Sequence, residues 1–166
     1  MNLQNAPKSW LNAPGSLTRH LRRACAATLS VDVRTEGWVS AEREVARALR
    51  VRLGVKVWRR EVVLRCADVP FVHAQSYATR AGGRALGLQR LGGRPLGEIL
   101  FVRAAYCARR AILRRFSLSG NGKPWRRWAL YVVRGHPVLL YEDFLPGLPR
   151  SRTVMERCHA GAACTG

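Results

Sequence analysis

Turn-forming clusters recur between β-rich runs in this chain, and their spacing constrains the fold more than any other feature. The runs Val57 to Cys66 and Phe71 to Ala78 flank Ala67-Asp68-Val69-Pro70, whose aspartate and proline favour a turn, so the two runs are expected to pair as a hairpin. Farther along, Arg110 to Leu118, Trp125 to Val133 and Val138 to Leu145 are separated by Gly120-Asn121-Gly122 and Arg134-Gly135-His136-Pro137, the pattern of a β-meander. An earlier run, Thr28 to Glu36, alternates Leu29, Val31 and Val33 with Ser30, Asp32 and Arg34, the period of a half-buried strand, and Gly37 ends it. About six strands joined in this way predict an antiparallel sheet.

Helical signals stand mostly before or between the strands. Ser16 is placed to cap a basic helix running to about Ala27, and Ser40 to Leu53 has helical spacing that stops at Gly54. Arg80 to Pro95 is too rich in glycine for one regular element, and the apolar stretch Leu96 to Val102 after it reads as a loop or short helix. The expected architecture is α+β: a single domain with an antiparallel sheet of about six strands and flanking helices. With 166 residues, 48% of them hydrophobic and 23% charged, the chain can bury a real core and is expected to be globular. Residues 1–9 read as an N-terminal extension, 10–149 as the domain and 150–166 as a mobile tail without apolar period.

No apolar run approaches the length of about 20 residues that spans a bilayer, and the first residues lack the basic-then-apolar layout of a secretory signal. A cytoplasmic protein without a membrane partner is the expectation. Five cysteines, Cys25, Cys66, Cys107, Cys158 and Cys164, are odd in number and widely spaced, which suggests free thiols. Cys158, His159 and Cys164 supply too few ligands for a closed zinc site, so no metal is expected. The net charge of +19 would by itself suggest a polyanionic partner. Lysine stands only at Lys8, Lys56 and Lys123, and the arginines that carry the excess are dispersed, without aromatics placed for base stacking. Nucleic acid is therefore not the expected ligand.

The chain has no P-loop, dinucleotide-binding glycine fingerprint, HExxH or GxSxG, which leaves chemistry that needs no nucleotide cofactor, metal or activated serine. Four segments carry a more specific signal. Trp10-Leu11 is followed by Ser16-Leu17-Thr18, Thr28-Leu29-Ser30-Val31 and Glu36-Gly37-Trp38. Trp58-Arg59-Arg60-Glu61-Val62-Val63-Leu64 leads to Cys66-Ala67-Asp68. Leu88-Gln89-Arg90-Leu91-Gly92 precedes Arg94-Pro95-Leu96-Gly97-Glu98-Ile99-Leu100-Phe101. Trp125-Arg126-Arg127 precedes Gly135-His136-Pro137-Val138-Leu139 and Glu142-Asp143-Phe144-Leu145-Pro146. In this order the segments resemble the chorismate pyruvate-lyase family from Trp10 to about Pro149.

The resemblance implies a cofactor-free, monomeric lyase that splits chorismate into 4-hydroxybenzoate and pyruvate on the way to ubiquinone. It also implies the site. Arg60 would hold a carboxylate of the dianionic substrate bidentately. The backbone N–H groups of Leu17 and Leu96 would meet the ring carboxylate, with Gly97 permitting close backbone approach. Glu142 would accept a hydrogen bond from the ring hydroxyl that becomes the phenol.

Read without the resemblance, Arg60 is a strand arginine like Arg59 or Arg65, and Glu142, among Val138, Leu139, Leu140, Phe144 and Leu145, is an acid that must face outward or be paired. Arg127 could neutralise the second substrate carboxylate, but an exposed strand arginine is its simpler reading. His73 and Tyr77 read as sheet-face residues. The chain departs from the family at Arg127-Trp128, where two arginines are common, and at Gln75-Ser76-Tyr77-Ala78-Thr79, where an arginine and a proline are usual. Two other readings compete with the enzyme: a non-catalytic small-acid-binding domain of the same fold, and a basic nucleic-acid-binding protein.

Overall fold

Ser16 caps a helix as its position suggests: its side chain accepts from the Arg19 N–H, and α2 runs over Leu17–Ala24, burying Leu17, Thr18, Leu21 and Ala24. A short α1 over Lys8–Leu11 precedes it. The structure, a computed structural model, describes residues 8–102, 113–117 and 125–149. The strands are β1 (Leu29–Ser40), β2 (Lys56–Cys66), β3 (Val69–Ala78), β4 (Leu113–Ser117), β5 (Trp125–Val133) and β6 (His136–Phe144). Every pairing is antiparallel, in the order β1-β2-β3-β6-β5-β4. The expected α+β architecture with about six strands is what the chain forms. The Gly120-Asn121-Gly122 turn and the tail from residue 150 lie outside the described residues.

Three elements differ from the sequence reading. β1 does not stop at Gly37 but continues to Ser40, because Gly37 pairs with Arg59 and Trp38 meets Trp58 edge to face, ring centroids 5.3 Å apart. The helix expected to reach Leu53 is only α3, Arg43–Leu49, ended by Arg50 in the left-handed conformation. The glycine-rich segment holds α4 (Arg80–Leu86), capped by the Thr79 side chain, and a 3-10 turn over Leu88–Arg90. Glycine is tolerated in α4 because the helix lies close to the sheet: a Cβ on Gly82 would come 3.2 Å from that of His136. The stretch after Pro95 is helix α5, Leu96–Val102.

The sheet divides two apolar clusters. On one face α2, α4 and α5 pack with Trp10 over Phe71, Val72, Tyr131, Val138 and Phe144. On the other, α3 packs through Val45, Ala46 and Leu49 against Val57 and Leu139.

The free-thiol reading fails for two of the five cysteines. Cys25, which follows α2, and Cys66, the last residue of β2, form a disulfide with Cα atoms 5.6 Å apart. They are 41 residues apart in sequence, and only the seating of α2 on the sheet brings them together. Cys107, Cys158 and Cys164 lie outside the described residues.

Candidate active site

Strand alternation sends Arg60, Val62 and Leu64 of β2 to the same face as Ala74 and Ser76 of β3, Leu140 and Glu142 of β6, and Arg127 and Tyr131 of β5. With Gly15, Leu17 and Thr18 from α2 and its approach, and Pro95, Leu96, Gly97 and Phe101 at α5, these residues line one cavity between sheet and helices. All four residues that the sequence reading selected, Leu17, Arg60, Leu96 and Glu142, stand on its wall.

Arg60 is 2% exposed and is held from two sides. Its Nη2 donates to the carbonyls of Gly92 at 2.6 Å and Arg94 at 3.2 Å, so the loop before α5 orients the guanidinium. Nη1 lies 3.5 Å from Glu36 Oε1 yet has no hydrogen-bond partner, which leaves a buried cationic donor in need of an acceptor. Burial lowers the pKa of Arg60 and Glu36 opposes that shift, but an arginine lowered from its high ordinary value remains charged at neutral pH.

Glu142 is 5% exposed and is paired rather than outward-facing. Arg127 Nε donates to its Oε2 at 2.6 Å across the β5–β6 register, in which the two residues are direct partners. The simpler reading of Arg127 as an exposed strand arginine is therefore wrong: it is 2% exposed, and its Nη1 also donates to the carbonyls of Trp10, Leu11 and Ala13 at 3.2, 3.3 and 3.5 Å. Burial alone would lower the pKa of Arg127, but the Glu142 carboxylate outweighs it and holds the guanidinium above the ordinary arginine value. Period two carried the signal. Arg127 shares its strand face with Ala129, Tyr131 and Val133, and Glu142 shares its own with Leu140 and Phe144, so opposite charges were due to meet on one buried sheet face.

Two helix starts converge on the cavity. The first N–H groups of a helix have no acceptor within it. In α2 the Arg19 and His20 amides return to Ser16, and the preceding amides of Leu17 and Thr18 have no such partner within the helix. In α5 the Glu98 amide returns to Pro95, and the Leu96 amide stands one position ahead of Gly97. Gly97 does permit close approach, but to the other helix: a Cβ there would lie 2.9 Å from Ser16 Oγ and 3.1 Å from Thr18 Oγ1. Thr18, Ser76 and Tyr131, none of them singled out from sequence, add polar atoms to the wall.

A cavity with two buried arginines, one buried carboxylate and two sets of helix-start amides suits a small, flat, multiply anionic ligand. His73 and Tyr77 stand on the opposite face, as read. His73 lies between Glu61 at 2.6 Å and Asp143 at 3.5 Å, and Tyr77 meets the Tyr141 ring edge to face. Among the described residues no group of His, Cys, Asp and Glu side chains is arranged to hold a metal ion.

A family model described as Chorismate lyase matches residues 1–153. The chain belongs to the chorismate lyase family. It is 37% identical over 154 residues to a protein of Methylococcus capsulatus named probable chorismate pyruvate-lyase, the match covering 85% of this chain and 95% of the relative. It is 36% identical over 148 residues to the chorismate pyruvate-lyase of Sodalis glossinidius, covering 87% and 80%. Among solved structures, the ligand-binding domain of a putative GntR-family regulator from Bordetella bronchiseptica superposes with a TM-score of 0.55 at 17% identity, over 71% of this chain and 86% of that one. The PhnF C-terminal domain gives 0.55 at 13% identity, over 74% and 86%. These two likenesses show a fold shared with domains of other proteins, one of them described as a ligand-binding domain.

Proposed function

We propose that the protein is a chorismate pyruvate-lyase, eliminating pyruvate from chorismate to give 4-hydroxybenzoate, and that Arg60, Leu17, Leu96 and Glu142 form its site. The observation that carries the assignment is the buried Nη1 of Arg60, a charged donor without a hydrogen-bond partner on the wall of a cavity that also holds a carboxylate pinned by Arg127. Arg60 and the amides of Leu17 and Leu96 hold the ring carboxylate. Arg127 occupies Oε2 of Glu142, so the other carboxylate oxygen accepts from the ring hydroxyl at the far end of the substrate.

The elimination is redox-neutral. The ring loses its C4 proton and the ether C–O bond breaks to release the enolate of pyruvate, which takes up a proton at carbon. The ring becomes aromatic, so the reaction has a large internal driving force and positioning with preorganised charge supplies the catalysis. This balance requires no cofactor. Arg127 serves as a positioning residue: it fixes the rotamer and charge of Glu142 and, through three backbone carbonyls, the segment that leads into Gly15 and Leu17.

The 10–149 segment is the catalytic domain in this reading, the enzyme acts as a cytoplasmic monomer, its product enters ubiquinone biosynthesis, and nucleic acid is not its ligand. The test is incubation of the purified protein with chorismate, without added metal or nucleotide, with 4-hydroxybenzoate and pyruvate measured in equal amounts. Tight binding of 4-hydroxybenzoate without turnover of chorismate would instead favour a small-acid-binding domain, the reading to which the shared fold lends support.

A further inference from the structure

The loop between α3 and β2 presents apolar side chains to solvent that no packing requirement explains. Leu53 is 67% exposed, the highest value among the large hydrophobic residues described, and Val55 is 41% exposed. The loop is not frayed. Val51 N–H donates to Ala46 O at 3.0 Å, Gly54 N–H to Ala41 O at 2.9 Å, and Ala41 N–H to Val55 O at 2.8 Å. Gly54, at φ +81, makes the turn that this ring of bonds requires and that a side chain would strain. The fold therefore holds Leu53 outward on a fixed backbone.

The charge around it is mostly positive. Arg50, Arg52 and Lys56 alternate with Val51, Leu53 and Val55, and Arg43 and Arg47 lie exposed on the preceding helix. Among the described residues none of these five cations forms an ion pair with a carboxylate, and the acids nearby in sequence are Glu42 and Glu44. We propose that this loop docks the protein on an anionic lipid surface, Leu53 and Val55 entering the headgroup layer while the flanking arginines and Lys56 meet lipid phosphates.

The chemistry favours lipid over the other common polyanion. A nucleic acid would satisfy the cations but offers no apolar layer to an outstretched leucine, and single-strand binding uses aromatic platforms, of which residues 39–57 contain none. Basic residues attract a charged bilayer and aliphatic tips then enter its interface, a pairing of two weak signals that gives reversible attachment. Such contact lies on the bilayer without spanning it, and it departs from the sequence expectation of no membrane partner. The loop belongs to the α3 side of the sheet, so attachment leaves the cavity residues on the other face untouched.

The test is co-sedimentation of the full chain with vesicles of phosphatidylcholine alone and with about a third phosphatidylglycerol. Binding is expected only to the anionic vesicles, weakening as salt rises. Leu53→Ser should reduce partitioning roughly tenfold and Leu53→Phe should increase it. Each cation near a charged surface changes partitioning about fivefold, so Arg50→Ala with Arg52→Ala should cost more than tenfold. Arg84→Ala with Arg90→Ala removes the same charge from exposed positions elsewhere and should cost little. Failure to bind anionic vesicles, equal losses in the two arginine pairs, or indifference to Leu53→Ser would each overturn the proposal. So would binding of duplex or single-stranded DNA with the same dependence on Leu53. The readout is independent of chorismate turnover, so the two assignments stand or fall separately.

Discussion

Arg127 and Glu142 face each other across β5 and β6 as a buried ion pair, Nε to Oε2 at 2.6 Å, both side chains almost wholly out of water. Removing one member of such a pair strands the other charge and typically costs about 3–5 kcal/mol. Arg127→Ala is therefore expected to lower unfolding free energy in urea by that order, more than Glu142→Gln, which keeps a hydrogen-bond acceptor for the guanidinium. If positioning is the role, Arg127→Lys, which retains charge but not the fork, should recover much of the stability while kcat remains depressed. Equal recovery of both would show that Arg127 is only structural.

Arg60 has fewer protein partners than Arg127, and that difference separates their expected phenotypes. Its Nη2 is spent on the Gly92 and Arg94 carbonyls, whereas Nη1 has no hydrogen-bond partner. Arg60→Ala should thus reduce kcat/KM by on the order of 10²–10³, the usual worth of one preorganised charged donor, and Arg60→Lys should not restore it. Circular dichroism should remain native. Near-normal kcat/KM in Arg60→Ala would remove this residue from the site.

Much of this arrangement is legible in the sequence because strand alternation and register do most of the positioning. The β2–β3 hairpin and the β5–β6 return follow from Asp68-Val69-Pro70 and Gly135-His136-Pro137, although β3 starts at Val69 and absorbs Pro70 at a register shift against Arg65. Once β5 and β6 pair, the meeting of Arg127 and Glu142 follows from period two. What local pattern does not encode is contact across layers. The Cys25–Cys66 bridge, the hold of Arg127 on three N-terminal carbonyls, and the approach of α5 to α2 at Gly97 all join segments distant in sequence. The α4 helix was hidden for another reason: its glycines oppose helix propensity by about 1 kcal/mol each, and close packing on the sheet overrides that preference.

Gly97 sets the distance between the two helix starts. A methyl there would come within 2.9 Å of Ser16 Oγ, closer than packed atoms allow, so Gly97→Ala must displace α5 from α2 or turn Ser16 away from its capping bond to Arg19. Either adjustment moves the Leu17 or Leu96 amide. A stability loss of about 1–3 kcal/mol is expected from the overpacking, together with a KM for chorismate that rises more than kcat falls. An unchanged KM would show that those amides do not bind substrate.

On the face away from the cavity, Glu61 lies between Arg59 and His73, whose Nε2 donates to Glu61 Oε1 at 2.6 Å. Burial pushes the Glu61 pKa up, but the His73 hydrogen bond and the charges of Arg59 and His73 pull it further down, leaving it below the ordinary glutamate value. A carboxylate depressed in the folded state contributes stability above its unfolded pKa, and this is lost as pH falls through the folded value. Stability should therefore decline from about pH 4–5 downward, and Glu61→Gln should flatten that part of the profile. Identical acid limbs in the two proteins would assign the decline to other groups.

The Cys25–Cys66 disulfide closes a loop across 41 residues that contains β1, α3 and most of β2, including Arg60. Loop-closure entropy of that length favours the folded state by about 3–4 kcal/mol in the chain-entropy treatment. The bond also ties the end of α2, whose first turn carries Leu17 and Thr18, to the end of the strand that carries Arg60. Reduction should lower the thermal midpoint by several degrees, and the paired variant Cys25→Ser with Cys66→Ser should match the reduced protein and no longer respond to reductant. Because both sulfurs lie in the apolar cluster under α2, loosening there is expected to raise KM before it unfolds the sheet. A midpoint unmoved by reductant, with free thiols counted before and after, would show that packing alone seats α2.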